Sequence, residues 1–385
     1  MTTKRPTITD VALRAGVSKA TVSAVLNNSG PVRGATRERV LDVVELLNYR
    51  PTQQSSRGTP RRHRCIALLI KEQDNPYYAG IVAGVRAVAE PRGYALLVLS
   101  SEGEGAAERH AVELVHQMDV DGLIATPVLG EHADLSHFFE LKRRNFPFVL
   151  LEAIRGVPAS LIDVDNVEAS RMAVEHLVGL GHTRIVHFAG PAYSMHAHER
   201  IDGVRRACSA SRLAFRDEDV VRAGAHLADG HRAALAYLAA RAPGERPTAI
   251  TCYNDLVAIG LCRALAELGL RVPEDVSVVG YDGIPLCDFL SVPLTTVQVP
   301  MQEMGVQSAR LLLRILTAHA AVPPERVSLD ASLVVRASTA PPRAGAGRIA
   351  AVPAGAATPG AAVPPAGSRA AGVVPRAARP APGRR

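Results

Sequence analysis

Short polar side chains at helical spacing are concentrated in the segment TITDVALRAGVSKATVSAVLNNS, residues 7–29. Its second half places Val22, Val25 and Leu26 on one helical face. The opposite face is short and polar, and it consists of Lys19, Ala20, Thr21, Ser23, Ala24 and Asn27. Such a face fits the major groove of DNA, where side chains read base edges through hydrogen bonds and methyl contacts. The alternative is a surface helical hairpin within a larger domain.

Three short helices are predicted to position this face. In the first helix, apolar residues recur at i, i+3, i+4 and i+7, at Ile8, Val11, Ala12 and Ala15. Thr7 stands at its N-cap position, with Asp10 three residues later. Gly16 supplies a left-handed turn, and Ser18 caps the second helix. A third helix over 35–48 closes a small core with Val40, Val43, Val44 and Leu47.

The basic residues lie at the two ends of the chain. Residues 1–64 carry twelve Lys and Arg against four Asp and Glu, whereas residues 65–340 carry 25 against 33. Residues 341–385 add seven Arg and no acidic residue. Because neutralised phosphates release counterions, a basic module that coincides with a helix-turn-helix pattern favours contact with a polyanion. Nucleic acid is therefore the predicted partner.

From Cys65 onward, short apolar strands alternate with helices. The strand-like segments are CIALLI, YALLVLS, DGLIAT, PFVLLEA, RIVHFAG, VVRAG, TAITCYN and VSVVGYD. Continuous aliphatic runs of this kind indicate parallel sheets covered by helices on both faces. The first four and the last four form two similar sets, and a single final strand is predicted near 327–336. The sequence therefore predicts an α/β protein in which a small all-α head precedes two doubly wound lobes.

Two segments lack apolar periodicity. Residues 51–64 contain two prolines, one glycine and four arginines, a composition that predicts a linker. Residues 341–385 are mostly Ala, Pro, Gly, Val and Arg, and with so little to bury they are predicted to form a disordered tail. The arginines of this tail either add weak attraction to DNA, or the tail is inert.

Several functional classes lack their sequence signatures. The cysteines show no CxxC pairing, which favours reduced, mostly buried thiols over a redox role: Cys65, Cys208, Cys252, Cys262 and Cys287. An apolar N-terminal region and an apolar run of about 18 residues are both absent, which predicts a cytoplasmic, nucleoid-associated protein without membrane contact. The chain has no phosphate loop, GxSxG elbow, HExxH motif or GxGxxG after the first strand. We therefore expect neither enzyme activity nor a cofactor.

The chain resembles the LacI family of bacterial transcription regulators in ten stretches that follow the expected order over residues 7–340. They are ITDVALRAGVSKATVSAVLN, TRERV with LNYRP, DNPYYAGIVAGV, DGLIA, VDVDN, LGHTRIVHFAGP, Arg200 with Gly203, RPTAITCYND, LGLRVPEDVSVVGYD and LTTVQVP. The resemblance implies a DNA-binding head at 1–50, a hinge at 51–64 and a periplasmic-binding-protein-like core at 65–340. We place the first lobe at about 65–163 and 296–322, and the second at about 164–295 and 323–340. The resemblance also implies a homodimer on a near-palindromic double-stranded operator.

The resemblance further implies a repressor controlled by a small effector that binds between the lobes. The candidate contact residues are Tyr77, Tyr78, Asp165, His196, Arg200, His226, Asn254, Asp255 and Asp282. Several follow predicted strands, where open α/β sheets bind ligands. Carboxylates, an arginine and aromatic rings suit a sugar or sugar derivative, and a purine or nucleoside corepressor is the alternative.

The same residues have structural interpretations. Asp165 and Asp282 could cap helices or link the lobes, and the two tyrosines could pack at the cleft mouth or at a dimer face. His196 and His198 have metal-like spacing, but a third ligand is missing, so no metal site is predicted.

The expected DNA contacts divide between bases and phosphates. Lys19 is expected to donate hydrogen bonds to guanine, and Ala20 and Ala24 to offer methyl contacts. Phosphate contacts are expected from Thr9, Ser18, Thr21, Ser23 and Asn27, with Arg33 and Arg57 as further cations. Gly58 stands where relatives carry a leucine that wedges into the minor groove. We therefore expect a weak or absent hinge helix and a less sharply kinked operator.

Overall fold

A computed structural model describes residues 7–26, 32–47, 64–130 and 133–343. The predicted contacts Asn27 and Arg57, the hinge with Gly58 and almost all of the tail lie outside these residues. Elements are numbered in chain order.

The head contains three helices: α1 (Ile8–Ala15), α2 (Lys19–Leu26) and α3 (Gly34–Leu46). The predicted helix boundaries are confirmed in their physical detail. The Asp10 carboxylate accepts hydrogen bonds from the Thr7 N–H and hydroxyl, both at 2.7 Å. Gly16 has φ of 65°, and Ser18 Oγ accepts a hydrogen bond from the Thr21 N–H at 3.1 Å. The buried core is small and aliphatic: Val11, Ala12, Ala15, Val22, Val25, Val40 and Val43.

The first lobe is a six-stranded sheet in which every neighbouring pair is parallel. In chain order its strands are β1 (Cys65–Ile70), β2 (Ala95–Ser100), β3 (Gly122–Ala125), β4 (Phe148–Leu150), β5 (Ser160–Val164) and β11 (Arg326–Leu329). Their spatial order is β11-β5-β4-β3-β1-β2. The accompanying helices are α4 (Pro76–Ala89), α5 (Gly105–Gln117), α6 (Ser136–Arg143) and α11 (Met301–Thr317).

The second lobe repeats this plan. Its strands are β6 (Ile185–Ala189), β7 (Val220–Arg222), β8 (Ala249–Cys252), β9 (Ser277–Asp282), β10 (Thr295–Gln298) and β12 (Ser332–Val334), in the spatial order β12-β10-β9-β8-β6-β7. Only β12 is antiparallel to its neighbour. The helices are α7 (Asn166–Gly179), α8 (Met195–Ala210), α9 (Leu227–Ala239) and α10 (Asp255–Glu267). The predicted α/β class with two doubly wound lobes is confirmed.

The predicted boundaries between the lobes need correction. β10 pairs with β9 in the second lobe, although residues from 296 were assigned to the first. β11 pairs with β5 in the first lobe, although residues from 323 were assigned to the second. The single strand predicted near 327–336 is two short strands, one in each sheet. An apolar pattern identifies a strand, but it does not say which sheet supplies the hydrogen-bonding partner.

Helix α4 lies very close to α11, and this contact fixes the start of α4 beside the cleft. A Cβ atom on Gly84 would lie 2.0 Å from the Gln302 carbonyl oxygen, and one on Gly305 would lie 2.2 Å from the Ile81 carbonyl oxygen. Glycine is therefore required at both positions. Across the described residues, all helices are too short or too polar to cross a bilayer.

Candidate functional site

The outer face of α2 in the head is available to a partner. Ser18, Lys19 and Ala20 are exposed, and Thr21, Ser23 and Ala24 are partly buried at the edges of this face. Thr9 and Arg33 are exposed beside it. Ser18 Oγ also lies 2.9 Å from Thr21 Oγ1, so these two hydroxyls are held together at the start of α2. Contact of these residues with DNA stays a prediction.

A second candidate site is the cleft between the two lobes, at the carboxyl ends of both parallel sheets. The free space there is about 880 Å³, counted to its open mouth. The enclosed part of this space is about 130 Å³. Its lining includes Lys71, Glu72, Asn75, Tyr77, Tyr78, Thr126, Val128, Leu129, Glu152, Tyr193, Ser194, His196, Arg200, Tyr253, Asn254 and Asp282.

Six of the nine predicted effector residues line this cleft: Tyr77, Tyr78, His196, Arg200, Asn254 and Asp282. Asn254 lies there as the N-cap of α10, where its Oδ1 accepts a hydrogen bond from the Val257 N–H at 2.9 Å. Its amide nitrogen donates to the Ala225 carbonyl at 2.8 Å. The Asn254 side chain is thus already engaged by the second lobe.

Asp165 and Asp255 do not line the cleft, and their predicted positions are corrected here. Asp165 is exposed and caps α7 by accepting a hydrogen bond from the Glu168 N–H at 3.0 Å. Asp255 is fully buried behind the site, where it accepts hydrogen bonds from the N–H groups of Gly283 and Ile284 at 2.7 and 2.9 Å.

Asp255 holds the backbone that follows Asp282 in place. Asp282 ends β9 with φ of 111°, a region that L residues rarely adopt. The next two N–H groups are anchored by Asp255, and the Asp282 carbonyl accepts a hydrogen bond from the Val299 N–H at 2.9 Å. A strained residue held this firmly at a cleft is typical of a functional position.

His226 also lies outside the lining, at the rim of the cleft, and bridges the two lobes. Its Nε2 is 3.0 Å from Glu72 of the first lobe, and its Nδ1 is 3.0 Å from Asp229 of the second. Burial lowers the pKa of His226, but hydrogen bonds and charge at Asp229 and Glu72 outweigh this effect, so the net shift is upward. His226 therefore links the two lobes at the rim and does not line the interior of the cleft.

Arg200 is the most constrained side chain of the cleft. It lies in the second turn of α8, with its guanidinium carbon 3.6 Å from the Tyr281 ring centroid and 4.7 Å from that of Tyr253. Its Nε donates to Asn166 Oδ1 at 3.1 Å, an oxygen that also accepts from the Tyr281 hydroxyl at 2.9 Å. Its Nη1 donates to the Tyr253 carbonyl and lies 3.8 Å from Asp282 Oδ1.

Opposite Arg200, the first lobe contributes a buried carboxylate. Glu152 Oε2 accepts a hydrogen bond from Lys71 Nζ at 2.5 Å, and His196 Nδ1 of the second lobe lies 4.0 Å from Oε1. Burial would raise the pKa of Glu152, but His196 and Lys71 favour the charged form and the net pKa shift is downward. Burial lowers the pKa of His196 to about 4, so its ring is neutral near pH 7.

Two buried oxygen atoms of this lining have no hydrogen-bond partner. They are Glu152 Oε1 and Thr126 Oγ1. An unsatisfied buried polar atom is costly, so each such atom requires an explanation, and at a cleft a bound ligand or an ordered water supplies one. Both oxygens can accept hydrogen bonds, and the threonine hydroxyl can also donate.

The sequence interpretation missed Lys71, Thr126, Glu152 and Tyr253, although a usable signal was present. Each lies just beyond a buried strand: Lys71 after β1, Thr126 after β3, Glu152 after β4 and Tyr253 after β8. The rule that parallel strands present ligand-binding residues at their carboxyl ends applies to all four.

Two family models match this chain, one over the head and one over much of the core that forms the cleft. Residues 7–52 match the family described as bacterial regulatory proteins, lacI family, and residues 174–339 match a periplasmic binding protein-like domain. The HTH-type transcriptional regulator CelR of Thermobifida fusca is 35% identical over 343 residues, which cover 87% of this chain and 98% of CelR. The HTH-type transcriptional repressor PurR of Aliivibrio fischeri (strain ATCC 700601 / ES114) is 34% identical over 308 residues, which cover 80% of this chain and 90% of PurR.

Two solved structures extend the comparison. A CelR transcriptional regulator in complex with cellobiose has 32% identity and a TM-score of 0.65, covering 87% of this chain and 100% of its own. The lac repressor dimer bound to operator and the anti-inducer ONPF has 30% identity and a TM-score of 0.63, covering 88% of this chain and 100% of its own. The likeness therefore extends over most of this chain and over the whole of both solved chains.

Proposed function

Because this chain belongs to the LacI family of bacterial transcriptional regulators, we propose that it is a repressor whose affinity for operator DNA is set by a sugar or sugar derivative bound between its lobes. A regulator of this family acts on DNA without catalysing a reaction. The effector class, the residues that bind it and the dimeric state are our proposals. The place of action is the nucleoid, where the operator lies.

The observation that carries the sugar proposal is the pair of unsatisfied buried oxygens, Glu152 Oε1 and Thr126 Oγ1, on residues that line the cleft together with Arg200 and Asp282. A carboxylate accepts two hydrogen bonds from vicinal hydroxyls, and a guanidinium donates to hydroxyl oxygens. Tyrosine rings at the same cleft can cover the apolar face of a pyranose. The cellobiose complex of CelR, at 32% identity, agrees with this class.

A purine or nucleoside corepressor is the second candidate. It is favoured by the four tyrosine rings at the cleft, Tyr77, Tyr78, Tyr193 and Tyr253, which offer surfaces for stacking on a planar base. A carboxylate such as Glu152 can accept hydrogen bonds from ring N–H groups.

A thermal-shift titration separates the two candidates. The purified chain is heated with cellobiose, ribose, hypoxanthine or adenosine, because a ligand that binds only the folded state raises the melting temperature. Stabilisation by a sugar and not by a purine supports the proposal. Stabilisation by hypoxanthine or adenosine alone overturns the sugar assignment and leaves the cleft as the effector site.

Glu152→Gln is expected to weaken binding of a stabilising sugar by about tenfold or more. The substitution keeps the shape of the side chain but replaces a double acceptor by an amide, and hydrogen bonds to a charged group contribute about 1.5–3 kcal/mol. Isothermal titration calorimetry measures the loss. Glu72→Gln at the rim is the matched control, with a smaller expected effect. Equal affinity of Glu152→Gln and wild type would remove Glu152 from the site.

Effector control follows from the contacts that cross the cleft. Glu152 and Glu72 of the first lobe face His196 and His226 of the second. A ligand that satisfies Glu152 on one side and Arg200 on the other binds the closed arrangement better than the open one. It can change operator affinity only by this difference in affinity between the two arrangements. The direction of the change depends on which arrangement places two heads at the operator spacing.

The operator itself is proposed to be near-palindromic, because two heads of a dimer read two half-sites about one helical turn apart. Lys19 is the proposed base-reading residue, with methyl contacts from Ala20 and Ala24. Thr9, Ser18, Thr21, Ser23 and Arg33 are proposed to contact phosphates and to fix the register.

Dimerisation is proposed to use exposed apolar side chains of the core. Phe289 is 83% exposed and Leu286 is 44% exposed beside it. A contiguous apolar patch on the surface is typical of an association site, and we propose that these two side chains belong to one. The lac repressor structure at 30% identity is described as a dimer, which agrees with this proposal.

Phe289→Glu is expected to convert the dimer to a monomer at micromolar concentration, because a charge would be buried at the interface. Size-exclusion chromatography with light scattering measures the mass. Phe139→Glu is the matched control, since Phe139 is 48% exposed on α6 and far along the chain from this loop. A Phe289→Glu protein that stays dimeric would place the interface elsewhere.

A further inference from the structure

Four arginines surround one surface cleft on the first lobe, at the end where β1 begins. The cleft is lined by Arg64, Arg92, Arg310 and Arg314, with Tyr94, Leu313 and Thr317 between them. We call the four the basal arginine cluster. All four side chains belong to exposed residues, whereas Tyr94 and Leu313 are buried. The cluster is therefore a charged rim around a partly apolar floor.

The cluster is poorly neutralised. Arg314 forms an ion pair with Glu325, but among the described residues Arg64, Arg92 and Arg310 have no acidic partner. Glu90, the nearest acidic residue in sequence to Arg92, pairs with Arg86 at 2.9 Å. The rest of residues 65–340 is acidic overall, with 33 Asp and Glu against 25 Lys and Arg. Positive charge is therefore concentrated at this cleft against the trend of the core.

Helix stability does not account for the cluster. Arg310 and Arg314 are four residues apart in α11, and like charges at this spacing destabilise a helix by a few tenths of a kcal/mol. Arg92 Nη1 donates to the Val88 carbonyl at 2.9 Å, which occupies only one of its five donors. The guanidinium groups keep most of their hydrogen-bonding capacity for a ligand with several acceptors.

The position of the basal arginine cluster in the lobe indicates what kind of ligand can reach it. Arg64 directly precedes β1, and Lys71 of the effector cleft directly follows it. A six-residue strand with a rise of about 3.3 Å per residue is about 20 Å long, so the two sites lie about 20 Å apart, at opposite ends of β1. Arg64 is also where the chain arrives from the head. The sixteen residues between Leu47 and Arg64 span at most about 55 Å, so DNA held by the head lies within reach.

We infer that the basal arginine cluster binds backbone phosphates of the DNA that flanks the segment held by the head. Arginine donors match phosphate oxygens, and a contact to the backbone adds affinity without reading sequence. The core then contributes to DNA binding directly, in addition to carrying the effector signal. This inference rests on the DNA binding proposed above.

The test uses the full chain and a random-sequence 40-base-pair duplex, with fluorescence anisotropy at a series of KCl concentrations. Affinity falls as salt rises, and each lost phosphate contact reduces the magnitude of the slope of log affinity against log salt by about 0.9. In a dimer, Arg92→Gln/Arg310→Gln removes four contacts and is therefore expected to reduce the magnitude of the slope by about 3.6. Between 50 and 200 mM KCl, the variant should lose about a hundredfold less affinity than wild type.

Two further variants isolate the cluster. Arg155→Gln/Arg206→Gln removes the same charge from exposed arginines elsewhere in the core and is expected to leave the slope within about 0.3 of wild type. Arg92→Lys/Arg310→Lys keeps the charge and is expected to restore most of the slope. An unchanged slope in Arg92→Gln/Arg310→Gln, or an equal fall in the Arg155/Arg206 pair, overturns the inference.

The outcomes also separate this inference from the proposed function and from a small phosphate ligand. Wild type that binds no duplex at all refutes the DNA-binding function itself. Wild-type binding with an unchanged slope in the Arg92/Arg310 variant refutes only the cluster. Thermal stabilisation by inorganic pyrophosphate that the variant loses, together with an unchanged salt slope, assigns the cleft to a small anion and overturns the DNA assignment.

Discussion

Arg200→Lys is expected to weaken effector binding by about a hundredfold while leaving duplex affinity without effector within about twofold. The guanidinium is sandwiched near Tyr281 and Tyr253 and donates to Asn166, and lysine has neither the planar group nor the forked donors. Loss of one member of a buried, hydrogen-bonded charged arrangement costs about 2–5 kcal/mol. The measurement is a calorimetric titration with whichever compound stabilises the wild type.

Arg241→Lys is the matched control for this prediction. Arg241 also stacks on a tyrosine of the second lobe, with its guanidinium carbon 3.6 Å from the Tyr237 ring centroid, but it does not line the cleft. Both variants lose a similar cation–π contact, so a general loss of lobe stability would affect them alike. Effector affinity that falls equally in both, or that is unchanged in Arg200→Lys, contradicts the role proposed for Arg200.

The head and the class of the core could be predicted from sequence because both depend on local patterns. Helical spacing of small apolar residues, a glycine suited to a left-handed turn and a serine at a cap position all occur within 20 residues of one another. Alternation of apolar strands and helices likewise leaves a parallel sheet covered by helices on both faces as the main solution. Six effector candidates reached the cleft because the carboxyl ends of parallel strands meet there.

The remaining errors arise where the partner is distant in sequence. Asp255 follows β8 as a ligand-binding residue would, but its carboxylate is consumed by N–H groups 28 and 29 residues later. Likewise, β10 and β11 are short strands whose sheet is decided by neighbours far along the chain. Glu152 could have been found from its place after β4, but its ion pair with Lys71, 81 residues earlier, could not.

Both lobes therefore use buried polar groups in two different ways. Asp255 is satisfied by the protein and holds the strained backbone at Asp282, whereas one oxygen of Glu152 has no hydrogen-bond partner among the described residues. A change at Asp255 would release the Gly283 turn together with the site. Glu152→Gln keeps the shape of the side chain but also removes the charge that pairs with Lys71, so the melting temperature of the variant without effector is measured beside its affinity.

Val22→Asp is expected to reduce duplex affinity more than a hundredfold and to leave effector binding unchanged. Val22 is fully buried among only seven small aliphatic residues, a core with little stability in reserve. An unpaired carboxylate there costs several kcal/mol, enough to unfold the head. The buried clusters of the two lobes contain no residue of the head, so the effector cleft should persist.

Leu13→Asp is the matched control, because Leu13 is 85% exposed on α1 and contributes nothing to that core. Anisotropy with the 40-base-pair duplex measures DNA binding, and the thermal shift with effector measures the cleft in the same preparations. Loss of duplex binding in Val22→Asp alone, with the effector shift intact in both variants, shows that the head supplies the recognition and the lobes the control. If Val22→Asp binds duplex as tightly as Leu13→Asp, the helix-turn-helix is not the main DNA-binding element, and the basal arginine cluster becomes the principal contact.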